Sequence, residues 1–258
     1  MSTEIIFPLI LAAVLLFVLL GTIRLLRSGQ NVLVVAFFAF AVACVLFSTL
    51  YWITWDLIRG DARMPFAANE ICEWACFLLL ASTLRAAFGQ GPSLQKAILP
   101  ATLFAAANTA LWIAWSGEWV QDILTGLSLG WLLCVLIACI IESEALSRAE
   151  RIGLGCAAVL VIAAQAMTFI ISVSPRAFEM IASVILFAVD TWLIVKTILS
   201  VKKSEQPQRG LCLSFAAFAW SEIAMYMSGG AVYLVMFTLS FFCYLLMLWA
   251  IRKEVTAA

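Results

Sequence analysis

The sequence contains no histidine, and only 12% of its 258 residues are charged. Without histidine, the chain has no histidine-ligated haem, no zinc site with histidine ligands, no di-iron centre of the carboxylate and histidine type and no acyl transfer by a histidine base. A typical soluble domain has about 25% charged residues, so the low charge argues against a soluble fold. The 15 basic residues balance the 15 acidic ones, which gives no electrostatic reason to expect a nucleic-acid partner.

Long polar segments are also missing. The longest connections between apolar stretches, around 56–65, 87–96 and 200–210, have about ten residues each, which is too short for a separate catalytic or nucleotide-binding domain. The sequence has no phosphate-binding loop, nucleophile elbow or zinc-protease motif. We therefore predict a single transmembrane helical domain over residues 1–258, with no soluble domain and no cofactor.

Apolar residues make up 65% of the chain, and the mean hydropathy is +1.10. A helix needs about 20 residues to cross a hydrocarbon core of about 30 Å. Because backbone polar groups in lipid must be satisfied within the segment, we predict an all-α integral membrane protein, a polytopic bundle of one N-terminal helix and four helical hairpins. The nine predicted spans are 5–26, 32–55, 66–86, 97–116, 120–141, 152–173, 177–199, 211–228 and 231–251.

The distribution of lysine and arginine predicts the orientation. Basic residues accumulate in cytoplasmic connections, and alternate connections of this chain differ strongly in their basic content. One set holds three basic residues, and the other holds eleven. This asymmetry predicts an N-terminus outside and a C-terminus inside a bacterial cytoplasmic membrane. The three are Arg59, Arg63 and Arg176, and the eleven are Arg24, Arg27, Arg85, Lys96, Arg148, Arg151, Lys202, Lys203, Arg209, Arg252 and Lys253.

Acidic residues inside the predicted spans are the main candidate site. The third span begins NEICEWACF, with Asn69 and Glu73 one helical turn apart on one face, and we expect the neighbouring Glu70 to be solvated. Asp190 and Glu222 lie well inside the seventh and eighth spans. Buried acids in a membrane are costly and mark functional sites by default, and we find no basic residue at their depth. Each should therefore be neutralised by a proton, a cation or a cationic ligand.

Two amide residues, Asn108 in the fourth span and Gln165 in the sixth, lie at a similar depth and are candidates to bond these acids. We hypothesise that Glu73, Asp190 and Glu222 line a shared polar cavity. This cavity would be reached from outside past Asn69 and Glu70. A structural alternative stays open, in which each acid is protonated, bonds a neighbouring amide or hydroxyl and fixes the helix register.

Cysteine offers a weaker candidate site. Of eight cysteines, Cys72 and Cys76 lie one helical turn apart, a spacing that would suit a soft metal ion such as Cu(I). Cysteine is also a small apolar residue suited to helix packing, so we favour packing and predict no metal. The basic residue within an apolar run, Lys196, is expected to extend its ammonium group to the cytoplasmic surface.

These features favour a small transporter, or a membrane protein that responds to cations or protons, using carboxylates deep in the bilayer. One alternative is a sensor or scaffold subunit that acts through a separate membrane or cytoplasmic protein. An intramembrane enzyme is the least favoured alternative, because no catalytic pair is recognisable. The lipid bilayer is the one partner expected in all three cases.

Overall fold

The computed structural model of this chain describes residues 3–59, 68–89, 93–116, 119–141, 147–170, 208–226 and 230–257, together with 180–181, 184–185, 187–189, 191–192 and 195–196. These residues are helical apart from short turns, and none of them lies in a strand. Eight helices have defined bounds: α1 Thr3–Leu26, α2 Val32–Arg59, α3 Ala68–Ala87, α4 Gln95–Ser116, α5 Trp119–Ile141, α6 Arg148–Ile170, α7 Arg209–Tyr226 and α8 Gly230–Ala257.

The prediction of an all-helical chain is confirmed for the described residues. With the helical residues between 180 and 196, the described part of the chain has nine helical segments, and each overlaps one predicted span. Among the described residues, four helical segments are long and apolar enough to cross a membrane: Phe7–Leu26, Val32–Ile58, Trp119–Cys139 and Tyr233–Lys253. A shorter apolar helix covers Gly210–Met225. These lengths and compositions indicate a membrane protein.

Six helices form a ring in the order α1, α2, α3, α5, α7 and α8, and the ring closes because α8 packs on α1. Helix α2 also contacts α8. Helix α4 packs on α5 from outside the ring, and α6 packs on α4. Side chains of α3, α7 and α8 therefore face one another across the interior of the ring.

The apolar residues divide between this interior and the outer surface. Phe38, Leu80 and Phe215 are fully buried, whereas Phe17 and Phe47 are 65% and 64% exposed. Such exposure of large apolar side chains is costly in water. On a helix surrounded by lipid these side chains would face hydrocarbon instead.

Helices α4 and α5 approach closely because α5 has glycines four residues apart. A Cβ atom added at Gly130 would lie 2.6 Å from the Ala105 Cβ atom, and one added at Gly126 would overlap the Thr109 hydroxyl oxygen. Small residues at this spacing allow the backbones of membrane helices to approach. The GxxxG pattern was therefore a readable packing signal that our sequence analysis did not use.

Candidate functional site

Helix α3 is fixed between its neighbours by two side-chain hydrogen bonds to α5. Gln121 Nε2 donates to Glu70 Oε1 at 3.3 Å, and Trp74 Nε1 donates to Thr125 Oγ1 at 2.8 Å. Both bonds join residues 51 positions apart, so α3 and α5 run in the same direction. This parallel arrangement agrees with α3, α4 and α5 traversing the bundle alternately.

Glu70 is buried, and the expectation that it is solvated was wrong. Its exposed fraction is 8%, because α5 packs against this face of α3 and Gln121 bonds the carboxylate. The sequence did not reveal this contact, since the residue that covers Glu70 comes from a helix two spans later.

Glu73 lies one turn from Asn69 and faces α2. Ser48 Oγ donates to Glu73 Oε1 at 3.4 Å. Ser48 is 5% exposed, while Glu73 has intermediate exposure. One carboxylate oxygen of Glu73 is therefore bonded by a hydroxyl that comes from inside the bundle.

Glu222 lies on α7 and is 8% exposed. Its carboxyl group lies beside the hydroxyl of Ser240 on α8, and this hydroxyl donates its own hydrogen bond to Phe237 O at 2.9 Å. The neighbouring Ser221 and the partner Ser240 are each 1% exposed. This acid thus lies in the interior of the ring and has a hydroxyl group as its neighbour, as Glu73 does.

The fold brings Glu73 and Glu222 together, although 149 positions separate them in the sequence (222 minus 73). The rings of Phe77 on α3 and Phe218 on α7 lie 6.3 Å apart between centroids. Glu73 is four residues before Phe77, and Glu222 is four residues after Phe218. Each acid therefore lies one helical turn from the aromatic contact. Because α3 and α7 run antiparallel, both acids lie at the same end of that contact, where Glu73 is within electrostatic range of Glu222. We call Glu73 and Glu222 the carboxyl pair.

A buried thiol and phenol lie next to the carboxyl pair. Cys76 Sγ and Tyr244 Oη are 3.2 Å apart, and the ring of Tyr244 contacts Phe218 edge-on at 5.2 Å. Both residues interact electrostatically with Glu222. Tyr244 carried no signal in the sequence, because a tyrosine within an apolar helix is common near a membrane interface.

Neither member of the carboxyl pair forms an ion pair with a basic residue in the described part of the chain. Arg85, at the far end of α3, lies 6.0 Å from the ring of Trp131 on α5. It is 12 residues from Glu73, which is about 18 Å along a helix. The pair therefore has no nearby positive charge among these residues.

Three of the other candidate residues fall outside this description. Asp190 lies outside the described residues, as do the side chains of Asn108 and Gln165. Asn69 is described. It is 4% exposed, and its Oδ1 atom has no hydrogen-bond partner among the described residues.

One buried acid was missed by the sequence analysis. Asp122, in the first turn of α5, is 2% exposed, which is less than Glu70 or Glu222. It escaped notice because it lies near the start of a predicted span, where an acid is expected to reach water. Burial by neighbouring helices cannot be read from position along one helix.

The described part of the chain contains no group of three or more histidine, cysteine, aspartate or glutamate side chains that could hold a metal ion. Cys76 bonds Tyr244, and Cys72 is partly exposed. The Cys72 and Cys76 packing interpretation stays a prediction.

A groove of about 560 Å³ lies away from the carboxyl pair, and its lining is almost entirely apolar. It is formed mainly by α7 and α8, with Leu213, Trp220, Leu246 and Trp249 among its walls. This groove is not the polar cavity that the sequence predicts.

Lys196 forms an ion pair with Glu150 at the start of α6. The Ser147 backbone N–H donates to Glu150 Oε2 at 2.8 Å, and the Glu150 N–H donates to Ser147 Oγ at 3.2 Å; this is a reciprocal helix cap. Glu150 precedes the sixth predicted span, and the bond from Lys196, followed by the bond from Ser147, lowers its pKa to about 2. Lys196 thus links two helical segments at this end of the bundle.

The chain matches no protein-family model, no curated protein and no solved structure. Function must therefore be inferred from the residues themselves, and the carboxyl pair offers the clearest chemistry among those described.

Proposed function

We propose that this protein is an integral protein of a bacterial cytoplasmic membrane that binds a proton or a cation at the carboxyl pair, as a small transporter or a cation-responsive protein. Four helices long and apolar enough to cross a membrane support the location. The segregation of basic residues supports an N-terminus outside and a C-terminus in the cytoplasm.

The observation that carries the proposal is that Glu73 and Glu222 each lie one turn from the contact between Phe77 and Phe218 and have no basic partner among the described residues. Two ionised carboxylates close together in a medium of low dielectric constant repel each other, and each has lost hydration. A proton or cation bound at the pair removes both costs. Binding is therefore favoured by the arrangement itself.

The flanking hydroxyl groups make both the occupied and the empty state of the pair chemically reasonable. Ser48 and Ser240 contact Glu73 and Glu222 respectively. The Ser48 hydroxyl donates to Glu73, whereas the Ser240 hydroxyl donates to Phe237 O and keeps lone pairs that can accept from a protonated Glu222. The Ser48 hydroxyl thus stabilises the ionised form of Glu73, and the Ser240 hydroxyl can stabilise the protonated form of Glu222.

The position of the pair couples binding to helix motion. Glu73 belongs to the α2–α3 hairpin and Glu222 to the α7–α8 hairpin, and each hairpin packs closely within itself. Binding draws the two acids together, and release lets them repel. The two hairpins would then move relative to each other, which is the kind of two-state element that transport or signalling requires.

The test is the thermal stability of the purified protein across pH and monovalent cations, with Glu73→Gln and Glu222→Gln as variants. Glutamine mimics the protonated acid, so both variants should fold but lose part of the pH or cation dependence of wild type. The matched control is Asp56→Asn, since Asp56 lies eight residues beyond Ser48 on α2, about 12 Å along the helix. This control should keep the wild-type dependence. Superimposable curves for wild type and both glutamine variants would reject the proposal.

A second measurement separates transport from sensing. Protein reconstituted into vesicles, with an internal pH-sensitive dye, should dissipate an imposed proton or cation gradient if it transports. A protein whose stability depends on the pair but which leaves the gradient intact would fit the sensor or scaffold alternative instead.

A further inference from the structure

Asn69 is an anomaly within α3. Its side chain is 4% exposed, and Oδ1 has no hydrogen-bond partner among the described residues. Buried polar atoms nearly always have a hydrogen-bond partner. An exception calls for an explanation, such as a bound water molecule or ion. A buried acceptor without any hydrogen-bond donor or cation would destabilise the fold.

The position of Asn69 indicates what that partner should be. Asn69 and Glu73 are four residues apart, so their side chains lie one above the other on the same face of α3. Glu70 is buried beside them, and Ser48 bonds Glu73 from α2. About one turn of helix therefore holds an amide oxygen and two carboxyl groups, with a hydroxyl group from the adjacent helix.

The chemistry of these groups favours an alkali cation. Oxygen atoms from carboxylate, amide and hydroxyl groups are ligands for hard cations, whereas soft metals prefer sulfur. The described residues contain no group of three or more histidine, cysteine, aspartate or glutamate side chains suited to a metal ion, which disfavours a divalent ion held mainly by carboxylates. A monovalent ion needs less negative charge and can use neutral oxygen ligands.

We propose that Asn69 Oδ1 and the Glu73 carboxylate are ligands of a bound alkali cation, and that this cation is what the carboxyl pair responds to. The inference rests on the proposed function and adds the class of ligand. Asn69, nearer the start of α3, would receive the cation first, and Glu73 would connect it to Glu222.

The experiment uses the purified full-length chain, with NaCl or KCl compared against N-methyl-D-glucamine chloride at equal ionic strength. Wild type should unfold at a higher temperature with one of the alkali ions. Asn69→Leu should fold, because it removes an unsatisfied buried oxygen, but the half-maximal cation concentration should rise by about tenfold or more on loss of a ligand. Asn69→Asp keeps an oxygen ligand and adds a charge, so it should retain or strengthen the cation effect.

The matched control is Thr83→Val, since Thr83 is fully buried on the same helix and its hydroxyl donates to Leu79 O at 2.8 Å. It is about 21 Å from Asn69 along the helix, and the variant should keep the wild-type cation response.

Each outcome decides the inference. An equal cation response in wild type and Asn69→Leu would overturn it; if Asn69→Leu does not fold, an Asn69→Asp variant without any alkali response would do so. A wild type that responds to pH through Glu73 and Glu222 but not to Na⁺ or K⁺ would leave the proposed function standing as proton binding and reject the alkali site. No response to either pH or cations would reject both.

Discussion

Replacing Gly130 with alanine should weaken the packing of α4 on α5. The added Cβ atom would lie 2.6 Å from the Ala105 Cβ atom, whereas carbon atoms in favourable contact lie about 3.5–4.0 Å apart. Because the Ala105 methyl group is fixed to its backbone and has no rotamer to adopt, the helices would have to separate by about 1 Å. Overpacking of this kind costs about 1–3 kcal/mol.

The matched control for Gly130→Ala is Gly153→Ala in α6. No atom outside its own helix backbone lies within 4 Å of a Cβ atom added there. Both substitutions gain the same helix propensity, about 0.8–1.0 kcal/mol, so the difference between the two variants isolates the steric cost. The free energy of unfolding, measured by denaturant titration in mixed micelles, should be lower for Gly130→Ala by about 1–3 kcal/mol. Equal stability of the two variants would refute the close approach of α4 and α5.

Three further predictions concern the rest of the bundle. The pKa of Glu150 is lowered to about 2, so its ion pair with Lys196 stabilises the fold by about 1 kcal/mol at this partly exposed site. This stabilisation is present above about pH 4.5 and is lost as the pH falls toward 2. In an acid titration, Lys196→Met should therefore lose less stability than wild type. Tyr244→Phe should lower the free energy of unfolding by about 0.5–1.5 kcal/mol in wild type, but by less in a Cys76→Ala background. Equal losses in the two backgrounds, measured by a double-mutant cycle, would show that the two groups do not interact. A reporter that requires export should be active when fused after Gly117, and an inactive reporter there would reverse the proposed orientation.

The positions of the helices were predictable because each depends on a local run of apolar residues. The predicted span 120–141 and α5, Trp119–Ile141, differ by one residue at the start. At the C-terminus the prediction ended at 251, whereas α8 continues to Ala257. Arg252 and Lys253 end the apolar run there, but charged residues do not end a helix.

The neighbours of each helix were not predictable in the same way. The burial of Glu70 depends on Gln121, and the surroundings of Glu222 depend on Ser240; each contact joins separate helices. Helical periodicity shows which residues share a face, but it does not show which helix covers that face. The grouping of Asn69 with Glu73 needed only one helix, so the sequence alone indicated it.

The approach of Glu73 to Glu222 is tested most directly by a double-mutant cycle with Glu73→Gln, Glu222→Gln and both together. The free energy of unfolding is measured at alkaline pH, where repulsion between the acids is greatest. Each single variant should relieve the repulsion, so the second substitution should add little to the first. We expect an interaction free energy of about 0.5–3 kcal/mol, as found for residues in contact. Effects that add within about 0.3–0.5 kcal/mol, as for independent sites, would contradict a shared binding site for the two acids.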